Sequence, residues 1–594
     1  MPNRRLKEII ILSAVLLFCV GWLIDIMLKN VVPEDVGDGI MHFFISNASW
    51  QHPELFLHHW GKPLFILLSS PFSQFGFNGL VLFNILVFVT TCIIGFKFLQ
   101  QRKAPIYIQV LLPLILLKAH DVANTILGGL TEPLFNLSLI LALFLLNNKK
   151  YAWFALVVST MPFLRSEGQL PVILALLILV YERQYKYIPL LTVAFIIYGI
   201  SGIFVYNDFM WYFNESPYAM NNGIYGHGTW DHYLLSYKNY IGNPGLYIFL
   251  LAIPAFIYML IKKIQIDWSN WIFSYGVFFG ILIAHSYFWA TGQNGSLGLT
   301  RIATQGVPLF LVMNLSILGK VPLSEKIFCK AVFIIFSLAI VNAILTNKYY
   351  PKEIAALDQQ ILNTADFLKN QDLGARKVYY HFPLLSFAYG ENPFKDNNRL
   401  IYYTFSNLEN DLRTTLKPGD LIVRDSHFGP VEMALPMEKI NKHPSLRIVK
   451  EFLSTNQIVD ERNETEGVII LEYQPNNKLN KYNPSISTIA IDSLLKIPEN
   501  QEFTGINCFF PTTNQDLKVT VTLTADQDGF ALVYDHDNGA SYSLMDLKAG
   551  QVFEGTFLYF GDGNTKIYVW NPRKLKGAIH LKKISCAKPI NVSL

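Results

Sequence analysis

Asp35 and Asp38 stand at one end of the polar part of residues 29–75, and His58, His59, Trp60 and Lys62 stand at the other. Carboxylates accept protons and a lysine holds anions, so these residue types suit acid–base chemistry on a negatively charged substrate. Both groups flank apolar runs, where ionisable side chains are costly unless they face water, a partner or a substrate. The stretch reads as the lip of an active site. Against this stands the plainer reading of a solvated first loop between two membrane helices, in which none of these charges has a role.

Further polar residues interrupt the apolar sequence downstream. They are Glu132 in GGLTEPLF, Arg165 and Glu167 in MPFLRSEGQLP, and Arg301 in GLTRIATQGVPLF. A local Arg165–Glu167 ion pair and an interfacial, snorkelling Arg301 would be the structural explanation. Charges in membrane segments otherwise default to functional sites. The aromatic loop 207–243 adds His227, Trp230, Asp231 and His232. Its Tyr and Trp suit a membrane interface, and Trp230 with Asp231 equally suits a sugar or acceptor site.

The elements that must position these groups follow from composition. The chain has 594 residues, of which 52% are hydrophobic and 15% charged, against roughly 25% charged in ordinary soluble domains. Apolar runs lie at 9–28, 77–99, 105–118, 126–147, 152–164, 168–181, 188–206, 244–261, 271–290, 303–318 and 327–345. The expected class is a polytopic α-helical membrane protein with about eleven spans. Arg4, Arg5 and Lys7 precede the first run, which has no small-residue cleavage site and reads as a retained anchor with a cytoplasmic N-terminus. Basic turns recur on that side, at Lys97 with Arg102 and Lys103, Lys149 with Lys150, Arg183 with Lys186, Lys262 with Lys263, and Lys320 with Lys326. The candidate site residues fall on the other side. An odd number of spans puts the C-terminal part there too, in the periplasm or an equivalent compartment of an inner-membrane protein. The net charge of +4 carries no basic stripe, so nucleic acid is not an expected partner.

The expected domains are 1–345 in the membrane, 346–480 as an extracytoplasmic α/β region, and 485–594 as a C-terminal β-sandwich. Residues 351–370 have helical periodicity, and KVYYHF, PGDLIVRDSHFGPVE, RIVKEF and GVIILEY alternate with polar segments in a βαβ manner. RDSHFGP at 424–430 reads as a strand end of the kind where sites form. An Asn- and Lys-rich stretch at 476–484 reads as a linker. Short strands with Asp-Gly and Asn-Gly turns follow from about residue 500. Cys19, Cys92 and Cys329 read as packing residues. Cys508 and Cys586, near the two ends of the sandwich, are candidates for a disulfide in an oxidising compartment. Asp526, Asp528, Asp535 and Asp537 hint at calcium, with Asp-Gly turns as the ordinary explanation.

The acidic first loop, the GKPL that follows it, the TEPLF, the RSEG and the Arg opening a late span together resemble the glycosyltransferase C superfamily. The nearest pattern is its branch of protein O-mannosyltransferases and bacterial aminoarabinose transferases, over residues 1 to about 345. The resemblance implies a helical membrane fold whose first outer loop covers a cavity. It also implies inverting transfer of a sugar from a polyprenyl-phosphate donor to a saccharide, lipid or protein acceptor on the outer face. The family's catalytic acidic residue matches Asp38 best, with Asp35 as the alternative. The lysine of its Lys-Pro-Pro-Leu stretch matches Lys62, with one proline here, Pro63. Lys62 and Arg301, with Arg165 behind them, would meet the leaving phosphate, and Glu132, His58 and His59 would line the substrate site. No cofactor is expected, because Asp35-x-x-Asp38 departs from the Asp-x-Asp with which some relatives hold a divalent ion, and adjacent His58 and His59 lack ligand spacing. Two other classes compete: a transporter or flippase of a lipid-linked saccharide, and a non-catalytic membrane receptor with a carbohydrate-binding outer domain.

Overall fold

A computed structural model describes residues 2–217, 226–293, 297–321, 327–453, 466–475, 487–489, 493–506, 517–536, 541–559 and 565–587. They fall into two compact units, Met1–Glu353 and Ile354–Leu594. Cys508, Asp537 and the stretch 476–484 lie outside the described residues.

The first unit is helical and the chain is an integral membrane protein. Leu6–Lys29, Phe77–Gln101, Tyr185–Tyr206, Gly242–Ile261 and Trp268–Thr291 are each long and apolar enough to cross a bilayer. Helices satisfy their backbone internally, which is what a hydrocarbon surrounding demands. Leu17, Phe204 and Ile283 are 71%, 82% and 67% exposed on these helices, as lipid-facing side chains are. Of the shorter apolar helices, Glu132–Asn147 and Val307–Gly319 are largely buried between them, while Ser166–Tyr181 leaves Ile173 and Leu177 each 56% exposed.

Two of the expected runs are broken. Residues 126–147 do not form one helix: His120–Leu127 ends, a turn follows, and a new helix starts at Glu132. The segment Ile106–Lys118 meets His120–Leu127 at a 72° bend. The cause is close backbone approach. Gly129 has φ +68°, and a Cβ on Gly128 would sit 2.9 Å from the Cβ of Asp35, so only glycine admits the first loop here. The run 303–318 likewise starts late, at Val307, after Gly306 at φ +85°. Arg301 therefore sits on a separate 3-10 turn, Thr300–Thr304. These breaks place Glu132 and Arg301 at helix starts, beside the first loop.

A Cβ on Gly39 would overlap the carbonyl oxygen of Gly128. Gly39→Ala must therefore push backbone apart and is expected to cost about 1–3 kcal/mol. A lowered thermal midpoint of the detergent-solubilised protein would report it.

The second unit opens with the helix Ala356–Lys369 and a sheet of β1 (Val378–Tyr380), β2 (Leu400–Tyr402), β3 (Leu421–Asp425), β4 (Leu446–Leu453) and β5 (Gly467–Tyr473). The spatial order is β2-β1-β3-β5-β4. β1 pairs in parallel with β2 and β3, as the βαβ reading expects. It does not extend to the last two strands, for β5 runs antiparallel to both β3 and β4. One face of the sheet buries Tyr379, Ile422, Ile469 and Leu471 against Leu412 and Ile440.

Beyond it lie two antiparallel sheets. One runs through Ser541–Leu547, Phe530–His536, Thr565–Trp570 and Phe503–Gly505, and the other through Val552–Tyr559, Leu517–Ala525, Gly577–Ala587 and Ser487–Ile489. Val519, Val521 and Leu523 of the second share one apolar core with Leu532, Ile567 and Val569 of the first. Among the described residues no three His, Cys, Asp or Glu side chains converge as metal ligands. Asp528 accepts the backbone N–H of Ala549 at 2.8 Å, a bond across 21 residues of chain.

Candidate active site

The first loop is organised by Asp35. Its Oδ1 accepts the backbone N–H groups of Gly37 at 3.1 Å and Gly39 at 2.9 Å. It thereby satisfies donors at the start of the helix Asp38–Ala48, which has no capping side chain at Gly37. Its Oδ2 pairs with Arg301. The same guanidinium reaches Asp38 with its other terminal nitrogen, the fork geometry that arginine alone provides. Burial works against the Arg301 charge, but Asp35 and Asp38 outweigh it and hold the group above its ordinary range. The two carboxylates differ in access. The Asp35 side chain is 12% exposed and the Asp38 side chain 46%. Asp35 is thus an anchor, while Asp38 opens to solvent.

Lys62 enters from the other end of the loop. It precedes the helix Pro63–Ser73 with φ +66°, a left-handed conformation uncommon for a non-glycine residue. This backbone turns a side chain that is otherwise surface-seeking into the protein, where the residue is 5% exposed and Nζ donates to Ser166 Oγ at 3.3 Å. Burial first, then the Arg165 charge, push its ammonium down to about 7, with Glu167 opposing. His58 and His59 are pushed down to about 4, chiefly by burial and then by Lys62. Each has a local partner. His58 Nδ1 accepts the Gly61 N–H at 3.1 Å, and His59 Nε2 donates to the Tyr212 carbonyl at 2.9 Å.

Arg165 follows the break at Met161–Phe163. It pairs with Glu132 at 2.9 Å and Glu167 at 3.1 Å, and donates to Thr131 Oγ1 at 2.8 Å. Glu167 also accepts Gln305 Nε2 at 3.0 Å and lies 3.3 Å from His285 Nε2. The Arg165–Glu167 pair expected from sequence is present, within a network that draws on four separate segments.

Asp35, Asp38 and Arg301 thus meet in one cluster, and Glu132, Arg165 and Glu167 in another. Lys62 is linked to the second through Ser166, which neighbours Arg165 in the chain. Trp230 and Asp231 make their contacts elsewhere. Trp230 is 61% exposed with its ring 5.6 Å from that of Tyr287, and Asp231 precedes the short helix His232–Leu235. Sequence reasoning missed His42, which lies one turn after Asp38 and stacks on Trp60 at 4.7 Å and 17°. Burial first, then the charges of Arg165, Arg301 and Lys62, with His58 behind them, push its imidazole well below the ordinary histidine range. The i, i+4 spacing from Asp38 was the available signal. His285 and Gln305 were missed as well, each a polar residue next to or inside an apolar run.

No protein-family model and no curated protein matches this chain. Among solved structures it is similar to ArnT from Cupriavidus metallidurans bound to undecaprenyl phosphate, at 9% identity and a TM-score of 0.51, over 80% of this chain and 99% of that one. The apo state of the same ArnT matches at 8% identity and a TM-score of 0.48, over 79% and 98%. The likeness to the lipid-bound structure establishes an ArnT-like fold.

Proposed function

We propose that this chain is a membrane glycosyltransferase that moves a sugar from a polyprenyl-phosphate donor to an acceptor on the extracytoplasmic face, with inversion. The observation that carries the reading is the solvent-open Asp38 fixed by Arg301, with the buried cation Lys62 at the other end of the same loop. The likeness to an ArnT structure described as bound to undecaprenyl phosphate supports a lipid-phosphate donor. The motifs of the glycosyltransferase C superfamily support it independently. In this reading residues 1–345 form the membrane domain, with about eleven apolar segments, only some of them long enough to cross the bilayer alone, and a cytoplasmic N-terminus. An α/β domain (346–480) and a β-sandwich (485–594) stand outside.

Asp38 takes the proton of the acceptor hydroxyl as its oxygen attacks the anomeric carbon. The bond from that carbon to the phosphate oxygen breaks, and the leaving lipid phosphate keeps the electron pair. Lys62 meets the developing negative charge, and Arg301 is assigned to add a second positive charge at the donor phosphate. Asp35 orients Arg301, and Arg165, held by Glu132 and Glu167, adds to the burial that lowers the Lys62 ammonium to about 7. The reading assigns no cofactor, because Asp35 and Asp38 face a guanidinium where a metal site would need an open pair of carboxylates.

Binding of undecaprenyl phosphate to the protein in nanodiscs, followed by tryptophan fluorescence, tests it. An ammonium poised near 7 is charged below that pH and loses its charge above it, whereas the bound anion favours the charged form. Affinity is therefore expected to be highest between about pH 6, where the phosphate monoester takes up its second proton, and pH 7, and to fall by up to about tenfold per pH unit above it. Lys62→Ala should weaken binding by about 10- to 100-fold and flatten that pH dependence. A wild-type protein that does not bind the lipid, or an unchanged pH profile in Lys62→Ala, overturns the assignment.

A further inference from the structure

The second unit carries a polar cluster that the proposed transfer does not use. β1 is central among the parallel strands: the chain passes from β1 to β2 on one side and from β2 to β3 on the other. The sheet order therefore reverses between β1 and β3. In open α/β sheets ligands bind in the crevice outside the carboxyl ends of the strands at such a point. Here β1 ends directly before His381, β2 ends at Tyr402, and β3 ends at Asp425.

Those ends are joined by side chains. His381 is 5% exposed, and its Nδ1 lies 3.1 Å from the Tyr403 carbonyl. A carbonyl only accepts, so that nitrogen carries the proton. Nε2 faces the Tyr402 hydroxyl at 2.8 Å and a Glu432 carboxylate oxygen at 3.1 Å. Glu432 arrives on the loop after β3, and its side chain is 34% exposed. The loop can fold back in this way because a Cβ on Gly429 would overlap the backbone of Asp425. Asp425 is 1% exposed. Its Oδ1 accepts the N–H groups of His427 at 2.8 Å and Phe428 at 2.6 Å, while Oδ2 is buried without a hydrogen-bond partner among the described residues. The Phe428 ring lies 5.9 Å from that of His381.

We propose that this crevice binds a neutral saccharide. Carboxylates accept hydrogen bonds only, which suits the hydroxyls of a sugar ring, and the half-buried rings of Tyr402 and Phe428, both next to His381, suit its C–H side. An anionic occupant would meet repulsion from the Asp425 and Glu432 carboxylates, and among the described residues no three His, Cys, Asp or Glu side chains converge to hold a metal cation. The site stands on its own geometry and does not depend on the transferase reading.

Saturation-transfer NMR on the full-length protein in detergent tests it, with D-mannose, D-galactose and N-acetyl-D-glucosamine as separate probes. At least one sugar should receive saturation from wild type and from Asp38→Asn. Glu432→Gln should lower its affinity about tenfold without changing the thermal midpoint. Tyr402→Phe, which removes one hydroxyl, serves as the second variant should Glu432→Gln fold poorly. Absence of transfer for all three sugars, an undiminished signal in both variants, or a signal lost in Asp38→Asn and kept in Glu432→Gln would overturn the proposal.

Discussion

Replacing Asp38 with asparagine is expected to lower sugar transfer by about 10²- to 10⁴-fold, the share a positioned general base supplies, while leaving folding and membrane insertion intact. The geometry separates these two effects. An asparagine oxygen still accepts from Arg301, so the link across the first loop survives, but the amide takes no proton from an acceptor hydroxyl. The side chain is 46% exposed, so no buried group is stranded. Donor-lipid affinity should stay within a few-fold of wild type, since the phosphate is assigned to Lys62. Turnover by proteoliposomes, with lipid binding measured on the same preparation, checks both halves. A well-folded variant turning over like wild type removes Asp38 from the mechanism.

Arg301→Ala is expected to act on stability as well as on activity. Asp35 is 12% exposed and has Arg301 as the cation across the loop. Removing one partner of a buried pair typically costs about 3–5 kcal/mol because the other charge remains without compensation. The cost attaches mainly to Asp35, since Asp38 retains water. Arg301→Lys should recover little of it, because one ammonium does not reproduce a fork that reaches two carboxylates. Thermal unfolding of the three proteins, with transfer measured beside it, gives the result. A midpoint unchanged in Arg301→Ala would show that the Asp35–Arg301–Asp38 bridge contributes nothing to the first loop.

That Asp38, Glu132, Arg165 and Arg301 flank or interrupt apolar runs is legible in the sequence and marks all four as candidates. Their division into two clusters is not, because it depends on where helices break. Gly128 and Gly129 lie in an apolar run that hydropathy reads as continuous to Asn147; the Gly-Gly pair and Pro133 at the helix start signal the break, and the packing of Gly39 against Gly128 shows what it makes room for. Asp35 and Asp38 share one loop and one residue type. What distinguishes them is the pair of backbone N–H groups, from Gly37 and Gly39, that occupies Asp35. His42 reads as a core residue in FFIS-flanked sequence, and its stacking on Trp60 is a tertiary fact. In the second unit KVYYHF and GVIILEY are recognisable as strands, yet a short, fully apolar strand does not declare its direction, and β5 proved antiparallel.

The lipid content of the purified protein, read by mass spectrometry for wild type, Asp38→Asn and Lys62→Ala, tests the central claim most directly. A polyprenyl phosphate or its sugar ester that co-purifies with wild type, persists in Asp38→Asn and is lost from Lys62→Ala is the predicted result. No isoprenoid in any of the three would contradict a lipid-phosphate donor and point to a receptor, and an intact lipid-linked oligosaccharide would contradict transfer of a single sugar and point to a flippase.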